Sequence, residues 1–581
     1  MNYIEYAKKL LYISNQKIFK ILPLIFLFLF ASLIEFIGLG LIIPYITLII
    51  NPENFSDIIF LKSLNIDIEK NFDNFLIILS CILITVFSIK TILSIVVRWA
   101  ITRFAFKQYA NLQVRLMSAY QKMNYEDFLK RNTSEYTRNV KELTSESTAS
   151  IENFLRLVSE VIIFTAIILY LCFINLKIIL ILFLLLSIIM SIYEFYLKPK
   201  AVLYGKNKVE ASSFIYRGVD SSVKGFKEIR LFAKEEFFLD ILKKGALKIY
   251  TNELKQSWIM HSPRYIFELA IITFLLSFLS ISIFLYKDIN LVLPIIGVFA
   301  VAGVRLLPGA ASIVNCFNFL NYSSKAVNTV YQDLKKLRKK NNNNRLRNIK
   351  SNLEKINFKS LSLKNIYYKY PNTKTGIIKD ASINLKAKEC VGIVGESGSG
   401  KTTIIDILLG LLKPHKGQIL INDKKIDQNS NSFVKLISYL PQEPLILEDT
   451  IKANICLDNS INKLKSSYEK LNTAIVQANI KQFIKTLPKG INTRIGESGV
   501  RLSGGQNKRL AIARTFFHDK EIIVMDEATS SLDVNTENFI LEQIKSLKRK
   551  KTIIIITHSK NTLKYCDKIY EIKAGKIKKI K

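Results

Sequence analysis

The chain has 581 residues, a formal net charge of +36 and a hydrophobic content of 49%. These values exclude a small disulfide-stapled protein and a disordered chain. The six cysteines have no CxxC spacing, which argues against a zinc site, and no RNA-binding module accompanies the charge, so we expect no nucleic acid partner.

Long apolar runs are concentrated in the first 310 residues, whereas the last 230 resemble an ordinary α/β protein. A helix that crosses the bilayer needs about 20 mostly apolar residues. Six segments meet this condition and predict six transmembrane helices. They lie near 19–50, 75–97, 152–174, 176–197, 264–286 and 289–322.

The distribution of Lys and Arg predicts the orientation of these spans. Segment 51–74 carries two lysines against five acidic residues and is placed outside. Segments 98–150 and 198–264 carry nine and fourteen basic residues and are placed in the cytoplasm. Both termini are therefore expected in the cytoplasm.

The two basic segments are helix-prone, so we expect membrane helices that continue well beyond the bilayer. Residues 326–354 are polar and of low complexity, and we interpret them as a linker. The predicted fold class is an α-helical membrane domain over 1–325, with six transmembrane helices and long cytoplasmic extensions. It is fused to an α/β P-loop nucleotide-binding domain over 355–581.

A phosphate-binding loop is predicted after the linker. The strand-like run CVGIVG leads into GESGSGKT, which matches GxxxxGK[ST], and an apolar helix follows. Backbone N–H groups of such a loop and the helix N-terminus favour phosphate, the lysine reaches the β- and γ-phosphates, and the hydroxyl of the next residue coordinates Mg²⁺. The predicted nucleotide-binding residues here are Gly395, Glu396, Ser397, Gly398, Ser399, Gly400, Lys401, Thr402 and Thr403.

A second acidic element follows in EIIVMDEATSSLD. Its apolar residues predict a buried strand that ends at Asp526, whose carboxylate can hold Mg²⁺ directly or through water. Glu527 comes next and is placed to polarise an attacking water as a general base.

The segment RLSGGQNKRLAIAR precedes this strand, and LSGGQ at that spacing resembles the signature of ATP-binding cassette (ABC) proteins. The resemblance covers about 355–581 and implies further roles. Tyr370 would stack on adenine. Gln442 would contact Mg²⁺ and water, and His558 would touch the γ-phosphate.

In the ABC family ATP lies between two cassettes, so the signature of one chain faces the phosphate loop of another. The resemblance therefore implies that this chain is a half-transporter that forms a dimer. A homodimer is expected because no consensus element is degenerate, and a heterodimer is the alternative. The residues expected to contact the partner's ATP are Ser503, Gly504, Gly505 and Gln506. The resemblance to exporters of this family also implies two coupling helices, which we expect near 125–133 and 214–224.

Three basic residues lie in or beside the spans: Lys90, Arg264 and Arg305. Charge inside a membrane is costly and indicates function by default. The alternatives are pairing with glutamates such as Glu35 or Glu194, and snorkelling of Arg264 at a span edge. The functional interpretation is that these cations face a water-filled path and bind an anion.

The segments IEFIGLGLIIPYITLI and VRLLPGAASI are similar to segments of the lipid-linked oligosaccharide flippase of bacterial N-glycosylation. This resemblance implies a polyprenyl-pyrophosphate glycan substrate in the bacterial inner membrane, a pyrophosphate bound by the three cations, and an external helix near 54–66. Lys90 keeps the charge but lacks the bidentate fork of arginine. The alternatives are export of a lipid A-like lipid, a drug or a peptide, and an ATP-gated channel or signalling protein.

Overall fold

The computed structural model describes residues 2–16, 18–50, 72–174, 176–286, 289–348, 357–371, 373, 375–425, 435–458, 465–496, 499–528 and 533–581. The chain forms two compact units. The first contains 1–123 and 128–340, and the second contains 124–127 and 341–581. The external helix expected near 54–66 lies outside the described residues.

The first unit is helical, and its long helices overlap the six predicted spans. Its helices are α1 (Tyr3–Ser14), α2 (Leu22–Ile50), α3 (Phe72–Gln121), α4 (Tyr125–Phe128), α5 (Thr133–Arg138), α6 (Thr144–Ile174), α7 (Leu176–Lys224), α8 (Phe226–Leu231), α9 (Glu235–Tyr286), α10 (Ile289–Tyr322) and α11 (Ser324–Asn348). Helix α4 begins with three residues that belong to the second unit.

Five helices of the described chain are long and apolar enough to cross a membrane, and they overlap the first five predicted spans. The sixth predicted span coincides with α10. Helices α3, α7 and α9 have 50, 49 and 52 residues. At 1.5 Å per residue each is roughly 75 Å long, more than twice the hydrocarbon thickness of about 30 Å. These helices therefore extend well beyond a bilayer, as the sequence predicts.

The structure differs from the predicted linker over 326–354. Helix α11 begins at Ser324, and Val327, Val330, Leu334 and Leu337 are buried in the core of the first unit. Their spacing of three and four residues forms an apolar stripe among lysines, which overall composition concealed. The first unit accordingly reaches residue 340.

An ion pair anchors α11 within the first unit. Both terminal nitrogens of the Arg131 guanidinium donate to the Asp333 carboxylate, at 2.7 and 2.9 Å. The Tyr120 hydroxyl donates to the same carboxylate at 2.6 Å. Asp333 is buried, so this bidentate contact and the tyrosine satisfy a charge that would otherwise be costly.

The second unit contains two sheets. Its strands are β1 (Ser360–Tyr368), β2 (Ile378–Lys386), β3 (Cys390–Gly395), β4 (Lys416–Ile421), β5 (Lys424–Lys425), β6 (Ile437–Leu440), β7 (Ile522–Asp526), β8 (Thr552–Ile556), β9 (Lys568–Lys573) and β10 (Lys576–Lys579). One sheet is antiparallel, in the order β2-β1-β4-β5. The other has the order β10-β9-β3-β8-β7-β6 and is parallel except for β10.

Helices cover the parallel sheet, whose inner strands are buried on both faces, as their unbroken apolar runs indicate. The helices of this unit are α12 (Lys401–Leu408), α13 (Ile451–Cys456), α14 (Lys465–Gln477), α15 (Lys481–Thr486), α16 (Gly504–His518), α17 (Val534–Leu547) and α18 (Lys560–Leu563). The predicted fold class, a helical membrane domain fused to an α/β P-loop domain, is confirmed.

Gly205 lies where α7 packs closely against α10. A Cβ atom on Gly205 would lie 1.8 Å from the carbonyl oxygen of Tyr322. We expect Gly205→Ala to force the two helices apart and to lower the stability by about 1–3 kcal/mol or more, the usual cost of overpacking. The measurement is the thermal unfolding midpoint of the detergent-purified protein.

Gly40→Ala is the matched control, because a Cβ atom there meets only Tyr170 at an ordinary 3.8 Å. Equal midpoints for both variants and the unsubstituted protein would contradict the close approach.

Candidate ATP site

The phosphate-binding loop connects β3 to α12, as predicted. The Lys401 ammonium donates to the carbonyl oxygens of Gly395 and Glu396, at 2.6 and 2.9 Å, and so lies across the loop. Gly398 and Gly400 have φ values of +77° and +104°, which L residues with a side chain rarely adopt. A Cβ atom on Gly400 would also lie 2.9 Å from the Ile378 side chain. Glycine is required at this turn.

The residues of the loop fit a bound phosphate. The Ser399 hydroxyl is shielded from solvent and has no hydrogen-bond partner among the described residues. Such a group is costly unless a ligand or water satisfies it. Thr402 lies exposed in the first turn of α12, whereas Thr403 is buried. The loop therefore offers an ammonium, a hydroxyl and a helix N-terminus to one anion.

Asp526 ends β7, and the Tyr439 hydroxyl donates to its Oδ2 at 3.4 Å. Burial and the neighbouring Glu527 carboxylate raise the pKa of Asp526. Burial and the Asp526 charge also raise the pKa of Asp406 to about 6. A buried and a partly buried carboxyl in one place favour a cation there.

Three residues predicted for catalysis lie together. The Gln442 amide donates to Glu527 Oε2 at 2.7 Å, and His558 Nε2 lies 4.0 Å from Glu527 Oε1. Gln442 lies 85 positions before Glu527 in the sequence, and His558 lies 31 positions after it. The three residues are close in space because β6, β7 and β8 are neighbours in the parallel sheet. A carboxylate, an amide and an imidazole therefore share one position at the carboxyl ends of these strands.

Glu527 has an unusual backbone, with φ at +48°. The Lys508 ammonium donates to the Glu527 carbonyl oxygen at 3.0 Å, and the Glu527 backbone N–H donates to Ile556 O at 3.0 Å. Sequence reasoning missed Lys508, although its position two residues after LSGGQ could have drawn attention to it. Lys508 joins the signature helix α16 to the catalytic strand.

The predicted Mg²⁺ ligands are Thr402, Gln442 and Asp526. A hydroxyl, an amide oxygen and a carboxylate are the hard oxygen donors that Mg²⁺ prefers. The chemistry of this donor set, together with the raised pKa of Asp526, fits the ion.

Tyr370, expected to stack on adenine, is partly buried. Its hydroxyl lies 3.4 Å from Thr403 Oγ1, and its ring meets Tyr368 edge to face, with centroids 5.2 Å apart. These contacts place the ring beside the first turn of α12. Stacking on a base stays a prediction.

The signature residues begin α16. Ser503 and Gln506 form a capping box: Ser503 Oγ accepts from Gln506 N–H at 3.3 Å, and Gln506 Oε1 accepts from Ser503 N–H at 2.9 Å. Ser503 and Gly504 are exposed, and a Cβ atom on Gly504 would meet nothing within 4 Å. The signature thus presents a helix N-terminus with room around it.

Within the second unit, the segment 124–127 packs beside β1. Tyr125 contacts the hydrophobic core, and the Tyr368 hydroxyl donates to Glu126 Oε1 at 3.2 Å. This segment begins the stretch expected to form a coupling helix. Residues 214–224, the second such stretch, form the last turns of α7.

The three membrane cations are not brought together by contacts of the described side chains. The Lys90 ammonium lies 2.9 Å from Glu35 Oε1, which is the pairing that the sequence left as an alternative. Arg264 is exposed on α9. Arg305 lies in α10, and its side chain lies outside the described part of the chain.

Comparisons with known proteins agree with this site. Residues 378–530 match the family described as ABC transporter. An export ATP-binding/permease protein of Rickettsia typhi is 41% identical over 38% of each chain. The ATP-dependent lipid A-core flippase of Bordetella avium is 36% identical over 37% of this chain and 36% of its own. The chain thus aligns with less than two fifths of the length of these relatives.

A solved bacterial Atm1-family ABC exporter with ATP bound has the same fold. Its TM-score is 0.73 at 19% identity, and the alignment covers 94% of this chain and 93% of that one. Residues 378–530 therefore match the ABC transporter family, and the chain as a whole has the fold of a solved ABC exporter.

The raised pKa of Asp406 predicts a pH-dependent stability. The folded protein keeps the proton up to about pH 6, whereas the unfolded chain loses it near 3.8, so stability falls as the pH rises between these values. At pH values above 6, Asp406→Asn should therefore raise the thermal unfolding midpoint. This increase in the midpoint should shrink as the pH is lowered towards 4. The measurement is thermal unfolding across this range in a chelating buffer without nucleotide.

Asp423→Asn is the control, because Asp423 is exposed and its substitution should give no such pH-dependent gain. A gain from Asp406→Asn that was the same at every pH would refute the raised pKa as its cause.

Proposed function

We propose that this chain is half of an ATP-driven exporter that works as a homodimer in the bacterial inner membrane. The main support is the contact of Glu527 with Gln442 and His558 beside an intact phosphate loop. The exporter fold supports the same proposal. The termini and the ATP-binding domain lie in the cytoplasm, following the bias of basic residues.

Hydrolysis needs a water that attacks the γ-phosphate in line with the leaving oxygen. The Glu527 carboxylate orients this water and accepts its proton, and the Gln442 amide holds the carboxylate in place. His558, which lies 4.0 Å from Glu527, would donate to the γ-phosphate, and Lys401 would leave its carbonyl partners to bind the β- and γ-phosphates. Mg²⁺, held by Thr402, Gln442 and Asp526, would supply positive charge to the phosphate oxygens.

The homodimer proposal depends on the signature residues. The exposed N-terminus of α16 is free to bind the phosphates of ATP held by a second copy, through Ser503 and the N–H groups of Gly504 and Gly505. Gln506, which caps the helix, would hold Ser503 in position. Closure of two copies on ATP would then move the coupling segments and, with them, the membrane helices.

For the cargo we propose a polyprenyl-pyrophosphate-linked oligosaccharide, flipped from the cytoplasmic to the outer leaflet. Its lipid tail can stay in the bilayer, so only the charged head needs a polar path. Guanidinium groups suit such a head because their contacts to phosphate are bidentate and strong. Arg305 and Arg264 would bind the pyrophosphate, and Lys90 could join them only by exchanging its contact with Glu35.

A lipid A-like cargo is the second candidate, since one relative is named a lipid A-core flippase. Lipid A-like molecules also carry phosphate, so the same cations could bind them. An ATP-gated channel or signalling protein is less well supported, because the Glu527 cluster is arranged for turnover.

The catalytic role of Glu527 predicts that Glu527→Gln loses ATP hydrolysis by about 100-fold or more, because an amide cannot accept the proton. ATP binding should persist, since the loop residues are unchanged. The measurements are steady-state phosphate release and equilibrium binding of labelled ATP.

Glu521→Gln serves as the matched control, because the Glu521 side chain is exposed. The hydrogen bond that Glu521 accepts from Thr552 N–H goes to its backbone oxygen, which the substitution leaves unchanged. This variant should hydrolyse ATP normally. Rapid hydrolysis by Glu527→Gln would remove Glu527 from the mechanism.

The cargo proposal predicts that Arg305→Ala slows translocation of a labelled undecaprenyl-pyrophosphate glycan by about ten- to a hundredfold, through loss of charge-assisted hydrogen bonds. Basal ATP hydrolysis should survive. Arg305→Lys should recover part of the rate, because it restores the charge without the fork. The measurement is ATP-dependent loss of the glycan from the cytoplasm-facing leaflet of proteoliposomes.

Arg230→Ala is the control. Arg230 lies in the short helix α8, is exposed, and forms an ion pair with Glu235. Unchanged translocation by Arg305→Ala, with normal folding and hydrolysis, would end the pyrophosphate role while leaving the ATPase proposal intact.

A further inference from the structure

A cavity of about 100 Å³ lies in the first unit where α1, α7 and α10 meet. Its polar lining comes from Tyr3, Glu194, Lys198, Asn318 and Asn321, and the remaining walls are largely apolar. The volume is sufficient for several water-sized groups. None of these residues takes part in the ATP site.

Most of the polar lining is internally satisfied. The Lys198 ammonium donates to Glu194 Oε1 and lies 4.9 Å from the centroid of the Tyr3 ring. The Tyr3 hydroxyl donates to the same Glu194 oxygen at 3.3 Å. The Asn318 amide donates to the Tyr193 hydroxyl and to Ile259 O. The charged lining is one cation and one anion, so its net charge is zero.

Asn321 is the exception. Its side chain is only 2% exposed and lines the cavity, yet its Oδ1 has no hydrogen-bond partner among the described residues. A buried amide oxygen in this position is costly unless something donates to it. The cavity therefore calls for an occupant with an N–H or O–H group.

The position along α7 indicates which molecules can reach the cavity. The apolar run of this helix ends at Glu194 and Lys198, and the neighbouring Phe195 and Tyr196 side chains are 76% and 61% exposed. Aromatic and charged residues at the end of a span mark the level of lipid headgroups. The Glu194 side chain is 48% exposed, so the cavity opens to the surface of the first unit.

We propose that this cavity binds the headgroup of a phospholipid that carries a primary ammonium, as ethanolamine lipids do. The ammonium donates to Asn321 Oδ1 and to the Glu194 carboxylate, and the phosphate meets Lys198. A zwitterionic headgroup matches the balanced charge of the lining. A choline headgroup has the same charges but no N–H, so it leaves Asn321 unsatisfied.

The test uses the full-length protein, delipidated in detergent, with lipids that share acyl chains and differ in headgroup. Phosphatidylethanolamine should bind at least tenfold more tightly than phosphatidylcholine, with the N-methyl and N,N-dimethyl lipids between them. Binding is measured by native mass spectrometry and by the shift of the unfolding midpoint. This series uses the unsubstituted protein, so it does not depend on any variant folding.

Asn321→Leu should abolish the preference for ethanolamine over choline. Asn315→Leu is the matched control. Asn315 lies on the same helix, and its Oδ1 is also buried with no hydrogen-bond partner in the described part of the chain, but it does not line the cavity. That variant should keep the preference. Equal binding of the ethanolamine and choline lipids would overturn the proposal and leave a cavity for water only. Stronger binding of phosphatidylglycerol would also overturn it, since that result indicates a site for anions.

Discussion

The ATP-binding domain depends on how the Glu527 carboxylate is held at the end of β7. A glutamate with φ at +48° is strained, and the strain persists because contacts on both sides of the residue fix it. Lys508 fixes the carbonyl, Ile556 O accepts the N–H, and Gln442 fixes the side chain. The carboxylate that we propose as the general base is therefore oriented before any substrate arrives, which is the condition for effective general base catalysis.

These contacts also connect Glu527 to the rest of the domain. Lys508 belongs to α16, whose N-terminus is the signature, so the element expected to bind the partner's ATP is joined to the catalytic strand. Gln442 follows β6, the edge strand of the parallel sheet. Any movement of either element changes the position of the carboxylate. This gives a physical route by which the assembly of two copies could control hydrolysis.

Much of this organisation could be predicted from sequence, because it depends on short motifs and on simple periodicity. The loop from Gly395 to Thr402 and the strand ending at Asp526 are local patterns, and apolar runs indicated the membrane helices. Helix α11 was missed because its apolar stripe is diluted by lysine and asparagine. The pairing of Lys508 with Glu527 and that of Arg131 with Asp333 could not be foreseen, because each joins two different elements whose packing the sequence does not reveal. The contact of Lys90 with Glu35 was one of two open alternatives, and sequence alone does not choose between them.

The proposed coupling of ATP hydrolysis to the movement of a phosphate-bearing lipid is open to one direct measurement. Phosphate release and translocation of a labelled undecaprenyl-pyrophosphate glycan are followed in the same proteoliposomes. Both signals should start on addition of ATP and Mg²⁺ and stop together when ATP is exhausted. Sustained phosphate release without any movement of the glycan would contradict the proposed cargo, and movement of the glycan without ATP would contradict the proposed drive.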